Sequence, residues 1–354
     1  MDEKAPQQRV SLRDIGRLAN LSHSTVSLAL RDNPSIALKT RQRVRELAAS
    51  LGYVPDPMLR ALAEYRRDKS VRRYQGSLAW IDNHDNPKNV EKHVELSLYW
   101  KGAEQRALEL GYKLVTFFPA AEKMSSASLR RVLINSGIRG LLLLPQPESH
   151  AVWDFDFTGF TAMAFGFSLT SPQLHVVTNC QFRSSILAVR RLRAGGFKRI
   201  GFVLSDRLNQ ASEGNFLGGF LVEQNKSPAK DRIPPFIAAG LNDKEKVRFR
   251  HWYETHRPDI LLADFWEWTM AFLEEMDLKV PADVPLAILA AVPQSRRFAG
   301  INQNAFKIGQ QGVDTVVGML YRNETGVPVT PTRILVEGQW QDGESVPLLQ
   351  NSPV

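Results

Sequence analysis

Hydrophobic residues in the first thirty positions recur at the spacing of short amphipathic helices. The segment SLRDIGRLA predicts a first helix that has Ser11 as its N-cap and one buried face made of Leu12, Ile15, Leu18 and Ala19. The pattern is then interrupted for three residues, Asn20, Leu21 and Ser22. It therefore predicts a helix that ends in a tight turn.

The segment after this turn predicts a second short helix with two unlike faces. Its inward side would contain Val26, Ala29 and Leu30, and its outward side is polar, with His23, Ser24, Thr25, Ser27 and Arg31. Such side chains form hydrogen bonds with base edges and phosphates. Two short helices joined by a three-residue turn are typical of a DNA-reading helix-turn-helix. The polar side of an ordinary small helical domain is the alternative interpretation.

The distribution of charge favours the DNA interpretation. Residues 1–73 contain 15 Lys and Arg against 8 Asp and Glu, whereas the rest of the chain contains 30 against 29. Basic side chains bind polyanions because each neutralised phosphate releases condensed counterions. A membrane surface would attract the same charge, but this segment has no long apolar face to insert. Nucleic acid is therefore the predicted partner.

The remainder of the chain alternates between short apolar runs and amphipathic stretches. The apolar runs predict strands at 77–81, 113–118, 140–144, 175–178, 199–204, 259–263 and 286–290. The stretches between them predict helices, notably at 94–110, 182–193 and 266–276. Such alternation predicts parallel sheets covered by helices on both faces, with ligands at the carboxyl ends of the strands. About 280 residues suffice for one or two lobes of this kind.

The run VSLRDIGRLANLSHSTVSLALRDNPSIALKTRQRVRELAASLGYVPDPMLRALA, from Val10 to Ala63, resembles the lactose-repressor family of bacterial transcription regulators. The resemblance implies an all-α helix-turn-helix domain at residues 1–54. The family's third helix corresponds to Leu38 to Leu51, and its contribution to the small core would come from Val44, Leu47, Ala48 and Leu51.

The resemblance also carries the family's DNA-binding positions onto this chain, at Ser11, Ser22, His23, Ser24, Thr25, Ser27, Leu28, Arg31, Thr40, Tyr53 and Leu62. His23 and Ser24 match the pair that sets operator preference, and Thr40 matches a phosphate contact. Many relatives have a guanine-reading arginine where this chain has Leu28, which could instead contact a thymine methyl group. Arg31 stands where relatives commonly have asparagine. The operator is therefore expected to differ from the family's common one.

Residues 55–74 resemble the family's hinge helix and linker. Asp56 can cap this helix and Pro57 can occupy its first turn. In relatives the hinge helix orders on DNA and pairs with its dimer mate in the minor groove, which makes Leu62 the wedge that enters a base step. An exposed linker leucine is the alternative interpretation.

The resemblance extends in weaker form to residues 75–354. It implies an α/β core of two doubly wound lobes, like those of periplasmic sugar-binding proteins, with a small-molecule effector in the cleft between them. The first lobe would comprise residues 75–176 and 303–330. The second lobe would comprise residues 177–302 and 331–354.

The effector site is where the chain departs from the family. Phe216 replaces an arginine, Phe265 and Trp266 replace an Asn-Asp pair, and apolar residues replace an aspartate at 290–291. These departures argue against a free hexose held by charge-assisted hydrogen bonds. The candidate effector residues are Asp82, Phe216, Asp264 and Trp266. Core packing is the alternative for Phe216, Trp266 and Trp268, and a core that binds no ligand is also open.

Other residue patterns predict neither catalysis nor a cofactor. His and carboxylate residues at 82–95 fit a solvated loop better than a metal site, and Cys180 is interpreted as a buried small residue rather than a nucleophile. No phosphate-binding glycine motif occurs. A single cysteine, with no signal peptide or membrane-length apolar span, predicts a cytoplasmic protein, and the resemblance implies a bacterial, nucleoid-associated one.

These observations together predict a homodimeric transcriptional regulator of the repressor type, bound to a pseudo-palindromic operator and tuned by an effector. An architectural DNA binder with a vestigial core and a sugar-processing enzyme fused to a DNA module are alternatives. No paired catalytic groups support the enzyme. A solute-binding transport protein is disfavoured because it would be exported and would lack a basic helix-turn-helix.

Overall fold

The computed structural model describes residues 11–30, 33–34, 36–51, 53, 74–86, 93–264, 266–292 and 295–347. These residues belong to two compact units, one on each side of the boundary between Arg72 and Arg73. The first unit is all helical. The second is an α/β structure with two six-stranded sheets.

Three helices form the N-terminal unit, α1 (Leu12–Ala19), α2 (His23–Leu30) and α3 (Leu38–Ser50). Their shared core consists of Ile15, Val26, Ala29, Val44 and Ala48, with partly buried residues such as Leu47 and Leu51 around it. The predicted helices and most of their inward positions are therefore confirmed. Leu18 is the exception, because its side chain is 59% exposed while Gly16 is buried in the same helix.

The exposure of Leu18 has a geometric cause. At Gly16 a Cβ atom would lie 2.8 Å from the carbonyl oxygen of Leu21, so the helix can bring this position against the turn only as glycine. The buried face of α1 is consequently centred on Ile15, Gly16 and Ala19, and Leu18 lies beside it. The hydrophobic pattern predicts that Leu18 is buried because it describes side chains only. It does not contain the backbone contact between Gly16 and Leu21.

The first sheet of the core has the strand order β13-β7-β5-β3-β1-β2, and all its pairs are parallel. Its strands are β1 (Gly76–Ile81), β2 (Tyr112–Phe117), β3 (Gly140–Leu143), β5 (Thr161–Phe165), β7 (His175–Asn179) and β13 (Arg333–Val336). Helices α4 (Val94–Glu109) and α5 (Ser126–Asn135) connect its first three strands, and β4 (Ala151–Val152) pairs separately with β6 (Leu169–Ser171).

The second sheet has the order β14-β12-β11-β10-β8-β9, with only the β12–β14 pair antiparallel. Its strands are β8 (Ile200–Ser205), β9 (Phe236–Ala238), β10 (Ile260–Ala263), β11 (Leu286–Ile288), β12 (Ala299–Asn302) and β14 (Gln339–Gln341). The α-helices of this half of the core are α6 (Gln181–Ala194), α7 (Asp206–Ala211), α8 (Asn215–Gln224), α9 (Asp243–His256) and α10 (Trp266–Glu274), and a short 3-10 helix covers Ala229–Asp231.

The chain crosses between the two sheets three times. Helix α11 (Ala305–Arg322) follows β12 and returns to the first sheet, where it packs against α4. Its close approach depends on Gly309, where a Cβ atom would lie 1.9 Å from the carbonyl oxygen of Tyr99. The parallel sheets with helices on both faces confirm the predicted fold class.

The sheet pairing differs from the predicted lobe boundaries by a few residues. Strand β7 continues to Asn179 within the first sheet, beyond the predicted boundary at 176. Strand β13 also pairs with β7, although residues 331–354 were assigned to the second lobe. The physical reason is that a strand stays hydrogen bonded to its neighbour over its whole length. The chain can therefore cross to the other sheet only after the strand has ended.

Candidate functional site

The first helix of the N-terminal unit begins at a reciprocal cap formed by Ser11 and Asp14. The backbone N–H of Asp14 donates to Ser11 Oγ over 3.3 Å, and the backbone N–H of Ser11 donates to Asp14 Oδ2 over 2.9 Å. These hydrogen bonds hold the pKa of the exposed Asp14 carboxyl below its usual range. The cap satisfies two free N–H groups and so fixes where α1 starts.

A cluster of three hydroxyl groups fixes the start of α2. Ser22 Oγ accepts from the backbone N–H of Thr25 over 3.1 Å, and it lies 2.8 Å from Thr25 Oγ1 and 2.9 Å from Ser24 Oγ. Ser22 therefore caps the helix that the sequence assigns to base reading. The interaction also restricts the side chains of Ser24 and Thr25 before any partner is bound.

The outward side of α2 is arranged much as its pattern predicts. His23 and Ser24 are exposed, Thr25, Ser27 and Leu28 are partly buried, and Val26 and Ala29 are buried. Two polar side chains at the amino end of the helix thus protrude from a small apolar core. Arg31 lies outside the described residues.

Two further interactions fix the end of α1, one within the helix and one with α3. Asn20 takes the left-handed conformation that asparagine tolerates, with φ 54°, and its N–H donates to the carbonyl groups at the end of α1. From α3, the Arg43 guanidinium donates to the carbonyl oxygen of Ala19 over 2.6 Å. Sequence reasoning missed Arg43, since its partner is a backbone carbonyl in another helix.

The remaining predicted DNA contacts of this unit lie on or near α3. Thr40 is in the first turn of that helix, partly buried, and its N–H donates to the Ala37 carbonyl over 2.9 Å. Tyr53 packs against the three-helix core, and its N–H donates to the Ala48 carbonyl. Leu62 lies outside the described residues.

In the core, the carboxylates of Asp82 and Asp264 follow the carboxyl ends of β1 and β10. Asp82 is 2% exposed, and its Oδ1 accepts from the His84 N–H over 3.0 Å and lies 2.7 Å from His84 Nδ1. Asp264 Oδ2 accepts from both the N–H and the hydroxyl of Ser205, over 2.9 and 2.6 Å. Both carboxylates thus already organise neighbouring loops.

The aromatic candidates of the core are engaged in packing. Phe216 is 2% exposed and lies in the hydrophobic cluster beneath α6 and α8, which is the packing alternative left open by the sequence. Trp266 is partly buried, and its ring centroid lies 5.1 Å from that of Phe298. The Arg297 guanidinium lies over the Trp266 ring, 4.7 Å from its centroid. Trp268 also packs against the core. Effector roles for Phe216 and Trp266 stay predictions.

Polar contacts join segments that belong to the two sheets. Ser149 Oγ donates to the Arg207 carbonyl over 3.0 Å. Arg333, on β13, forms an ion pair with Glu213, which lies between α7 and α8, at 3.1 Å. Near this pair is a cavity of about 100 Å³, lined by Phe167, Cys180, Gln181, Phe182, Asn215, Arg333 and Leu335. Pockets that enclose drug-sized ligands usually reach about 300–1,000 Å³.

Sequence reasoning also missed a buried polar group that packs against the first sheet. Tyr99, on α4, is 7% exposed. Burial and the nearby Glu95 charge raise the pKa of Tyr99 above its usual range, and a hydrogen bond with Thr178 only partly opposes them. Burial raises the pKa of Glu95 to about 7. The two side chains stand one turn apart, a spacing that amphipathicity alone does not mark as special.

The described residues form neither a metal-binding cluster nor a membrane span. Within them, no group of three or more His, Cys, Asp or Glu side chains is placed to hold a metal ion. In the same part of the chain, every helix is too short or too polar to cross a bilayer.

Comparison with known proteins identifies the N-terminal unit first. Residues 11–56 match the family model described as bacterial regulatory proteins, lacI family. The "Probable HTH-type transcriptional repressor ExuR" of Bacillus subtilis is 44% identical over 54 residues, which are 15% of this chain and 16% of that protein. The range 11–56 contains all three helices of the N-terminal unit.

A weaker similarity covers the whole chain. The HTH-type transcriptional regulator MalR of Streptococcus pneumoniae is 22% identical over 324 residues, or 89% of this chain and 94% of MalR. The structure of a complex of the transcriptional regulator CelR with cellobiose has a TM-score of 0.56 and 17% identity, covering 96% of this chain and all of that one.

The lac repressor dimer, solved with its operator and the anti-inducer ONPF, also has this fold. Its TM-score is 0.54 with 17% identity, covering 96% of this chain and 99% of that chain. At such identities the two solved structures show the fold alone. The helix-turn-helix at residues 11–56 thus matches the lacI family, and the chain as a whole is similar in sequence to a transcriptional regulator and in fold to the lac repressor.

Proposed function

We propose that the protein represses transcription as a homodimer whose two copies of α2 read the half-sites of a pseudo-palindromic operator. The observation that carries this proposal is the exposure of His23 and Ser24 at the amino end of α2, beside the Ser22 cap. Their polar groups can contact base edges in the major groove, and the cap lowers the entropy lost on binding.

The other predicted contacts would divide between bases and backbone. Thr25, Ser27 and Leu28 are partly exposed on the same helix, and Leu28 offers an apolar surface for a thymine methyl group. Phosphate contacts would come from Ser11, Ser22, Thr40 and Tyr53, and Arg31 would add a further cation. Phosphate contacts fix the register of the protein on DNA, whereas base contacts select the sequence.

A selection experiment tests the reading helix. Genomic fragments bound by the full chain would be sequenced and compared with those bound by Ser24→Ala and by Ser50→Ala, which alters an exposed serine on α3. We expect Ser24→Ala to change the preferred bases at one symmetric pair of positions and Ser50→Ala to leave them unchanged. An unaltered motif for Ser24→Ala would refute the role of Ser24.

The hinge segment would act through Leu62 as a wedge in the minor groove. A wedge stabilises only the kinked, specific complex. Leu62→Ala should therefore weaken binding to the selected operator far more than binding to random DNA. Equal losses on both DNAs in the same titration would contradict the wedge.

The core would couple an effector to DNA binding by opening between its two sheets. Support comes from the Arg333–Glu213 ion pair, in which Arg333 lines a small cavity, and from the Ser149–Arg207 hydrogen bond, a second contact between the two halves of the core. A ligand that fits only after these contacts separate would shift the population of the open form. The departures at Phe216 and Trp266 point to a ligand less polar than a free hexose, and no catalytic step is proposed.

A ligand screen distinguishes this coupling from a core that binds nothing. Operator affinity would be measured for the unaltered chain and for Glu213→Gln over a panel of carbohydrates and their derivatives. An effector should change operator affinity, and Glu213→Gln should respond at lower ligand concentration because one closing contact is weakened. If no compound changes either affinity or thermal stability, the ligand-free alternative is favoured.

A further inference from the structure

Basic side chains gather at the edge of the second sheet where the parallel strands begin, opposite to the edge that carries Asp264. We call this the distal basic surface, and its eight cations are Arg190, Arg193, Lys198, Arg199, Lys226, Lys230, Arg232 and Arg257. Four carboxylates lie among them, Glu223, Asp231, Glu254 and Asp259. The formal charge of +4 is notable because residues 74–354 as a whole are almost neutral.

Around Glu223 the negative charge is buried and the positive charges face solvent. Glu223 lies 2.8 Å from Arg190, 2.7 Å from Lys226 and 3.6 Å from Arg193, and its own side chain is 3% exposed. The side chains of Arg190 and Lys226 are 53% and 54% exposed. A polyanion approaching this surface would therefore meet three cations before the one carboxylate.

Hydrogen bonds to backbone carbonyls hold the rest of the surface together. Arg199 donates to the carbonyl groups of Lys230, His256 and Arg257, which joins three segments. Arg232 donates to the Ser227 carbonyl over 2.9 Å, within the same loop. Because these bonds fix the backbone, the exposed lysines keep their spacing.

Four further acidic residues at the same edge lie apart from the cations. The end of α10 and the turn that follows it carry Glu274, Glu275, Asp277 and Asp283, next to β10 and β11, whereas the cations lie near β8 and β9. Carbonyl groups at the end of α6 favour a cation such as Arg193. That effect does not extend to Lys198 and Arg232, which lie outside the helices.

We propose that the distal basic surface binds the phosphate backbone of a second DNA segment, without reading its sequence. Charge complementarity favours a duplex, whose phosphates are regularly spaced, because the exposed lysines and arginines stand on backbone segments that hydrogen bonds hold together. The surface presents loops and the ends of helices rather than a helix that could enter a groove, so contacts would be limited to phosphates. The inference rests on the proposed function only in one respect, which is that operator binding brings DNA close to the protein.

The test uses the full chain with α2 disabled. His23→Glu with Ser24→Glu places carboxylates at the amino end of α2, where they are compatible with the helix but repel phosphates. In this background we would compare Lys198→Glu/Lys230→Glu/Arg257→Glu with a matched control, Lys113→Glu/Lys123→Glu/Lys244→Glu. All six lysines and arginines are exposed, and both sets change the charge equally. Binding of a labelled random-sequence duplex would be titrated at several salt concentrations.

We expect the α2-disabled chain to retain weak, salt-sensitive binding. The triple variant of the distal basic surface should reduce the affinity for the random duplex on the order of tenfold. It should also make the slope of log affinity against log salt concentration shallower by about three. The control triple variant should change the affinity less than about twofold. No residual binding, an unaffected distal triple or an equal loss in the control would each overturn the proposal. If the α2-disabled chain still selects an operator, the proposed role of α2 in base reading is wrong. The comparison of the two triple variants tests the distal basic surface independently of that result.

Discussion

The N-terminal unit and the second half of the core use their predicted functional side chains in opposite ways. In the small unit, His23 and Ser24 remain at the surface because three short helices can bury only one side of each. In the core, Phe216 is buried and Asp264 is hydrogen bonded to Ser205. A residue type at a family position therefore indicates function more directly where the fold leaves that face uncovered.

The largest test of this contrast is truncation of Phe216. Phe216→Ala should lower the free energy of unfolding by about 3–5 kcal/mol, since it removes a buried ring from the core. His23→Ala should change that free energy by less than about 0.5 kcal/mol, because it alters an exposed residue. Urea unfolding of both variants checks the prediction. A small effect at Phe216 would reopen its role as an effector contact.

The ion cluster at Glu223 should give the next largest effect. Glu223→Gln leaves three neighbouring cations without their buried carboxylate and should cost about 2 kcal/mol of folding free energy. Glu104→Gln, on the exposed side of α4, serves as the control and should be near neutral. Burial alone would raise the pKa of Glu223, but hydrogen bonds from Lys226 and Arg190 outweigh it and keep the pKa below its usual value.

That lowered pKa predicts how the Glu223 effect depends on pH. The stabilisation is present above the pKa of an unfolded glutamate and is lost as pH falls through the lower pKa of the folded state. The difference between Glu223→Gln and the unaltered chain should therefore shrink in acid. A constant difference across this range would show that the carboxylate charge is not the cause.

Glu95 should show the opposite pH dependence, with a smaller effect. Its raised pKa, about 7, means that the unfolded chain releases the proton first, so the carboxyl costs stability as pH rises from about 4.5 to 7. Above pH 7, Glu95→Gln should be more stable than the unaltered chain by about 1–2 kcal/mol. Below pH 4 the two should unfold alike. Thermal unfolding at several pH values measures this difference.

The smallest predicted effect separates capping from base reading within α2. Ser22→Ala removes the side-chain acceptor for the Thr25 N–H and should cost about 1 kcal/mol. Ser24→Ala leaves that bond in place and should change stability by less than about 0.5 kcal/mol. Calorimetry of the full chain compares them. Equal losses would mean that the cap extends to Ser24.

Much of the DNA-binding unit could be predicted from the sequence because its signals are local. Ser11, the break at 20–22 and the spacing of Val26 and Ala29 each act within one or two helical turns. The prediction for Leu18 was wrong since the cause lies in the approach of Gly16 to the turn. Contacts such as Arg43 with Ala19 depend on the angle between helices, which hydrophobic periodicity does not contain.

For the core, the sequence by itself determined the parallel strands and the helices that cover them, because a buried strand reads as a continuous apolar run. Tertiary structure alone decided that β13 joins the first sheet, that Phe216 points into a packed cluster, and that cations distant in sequence share one surface. These features depend on contacts between segments tens of residues apart. Such contacts form only when the chain has folded, so no local pattern encodes them separately.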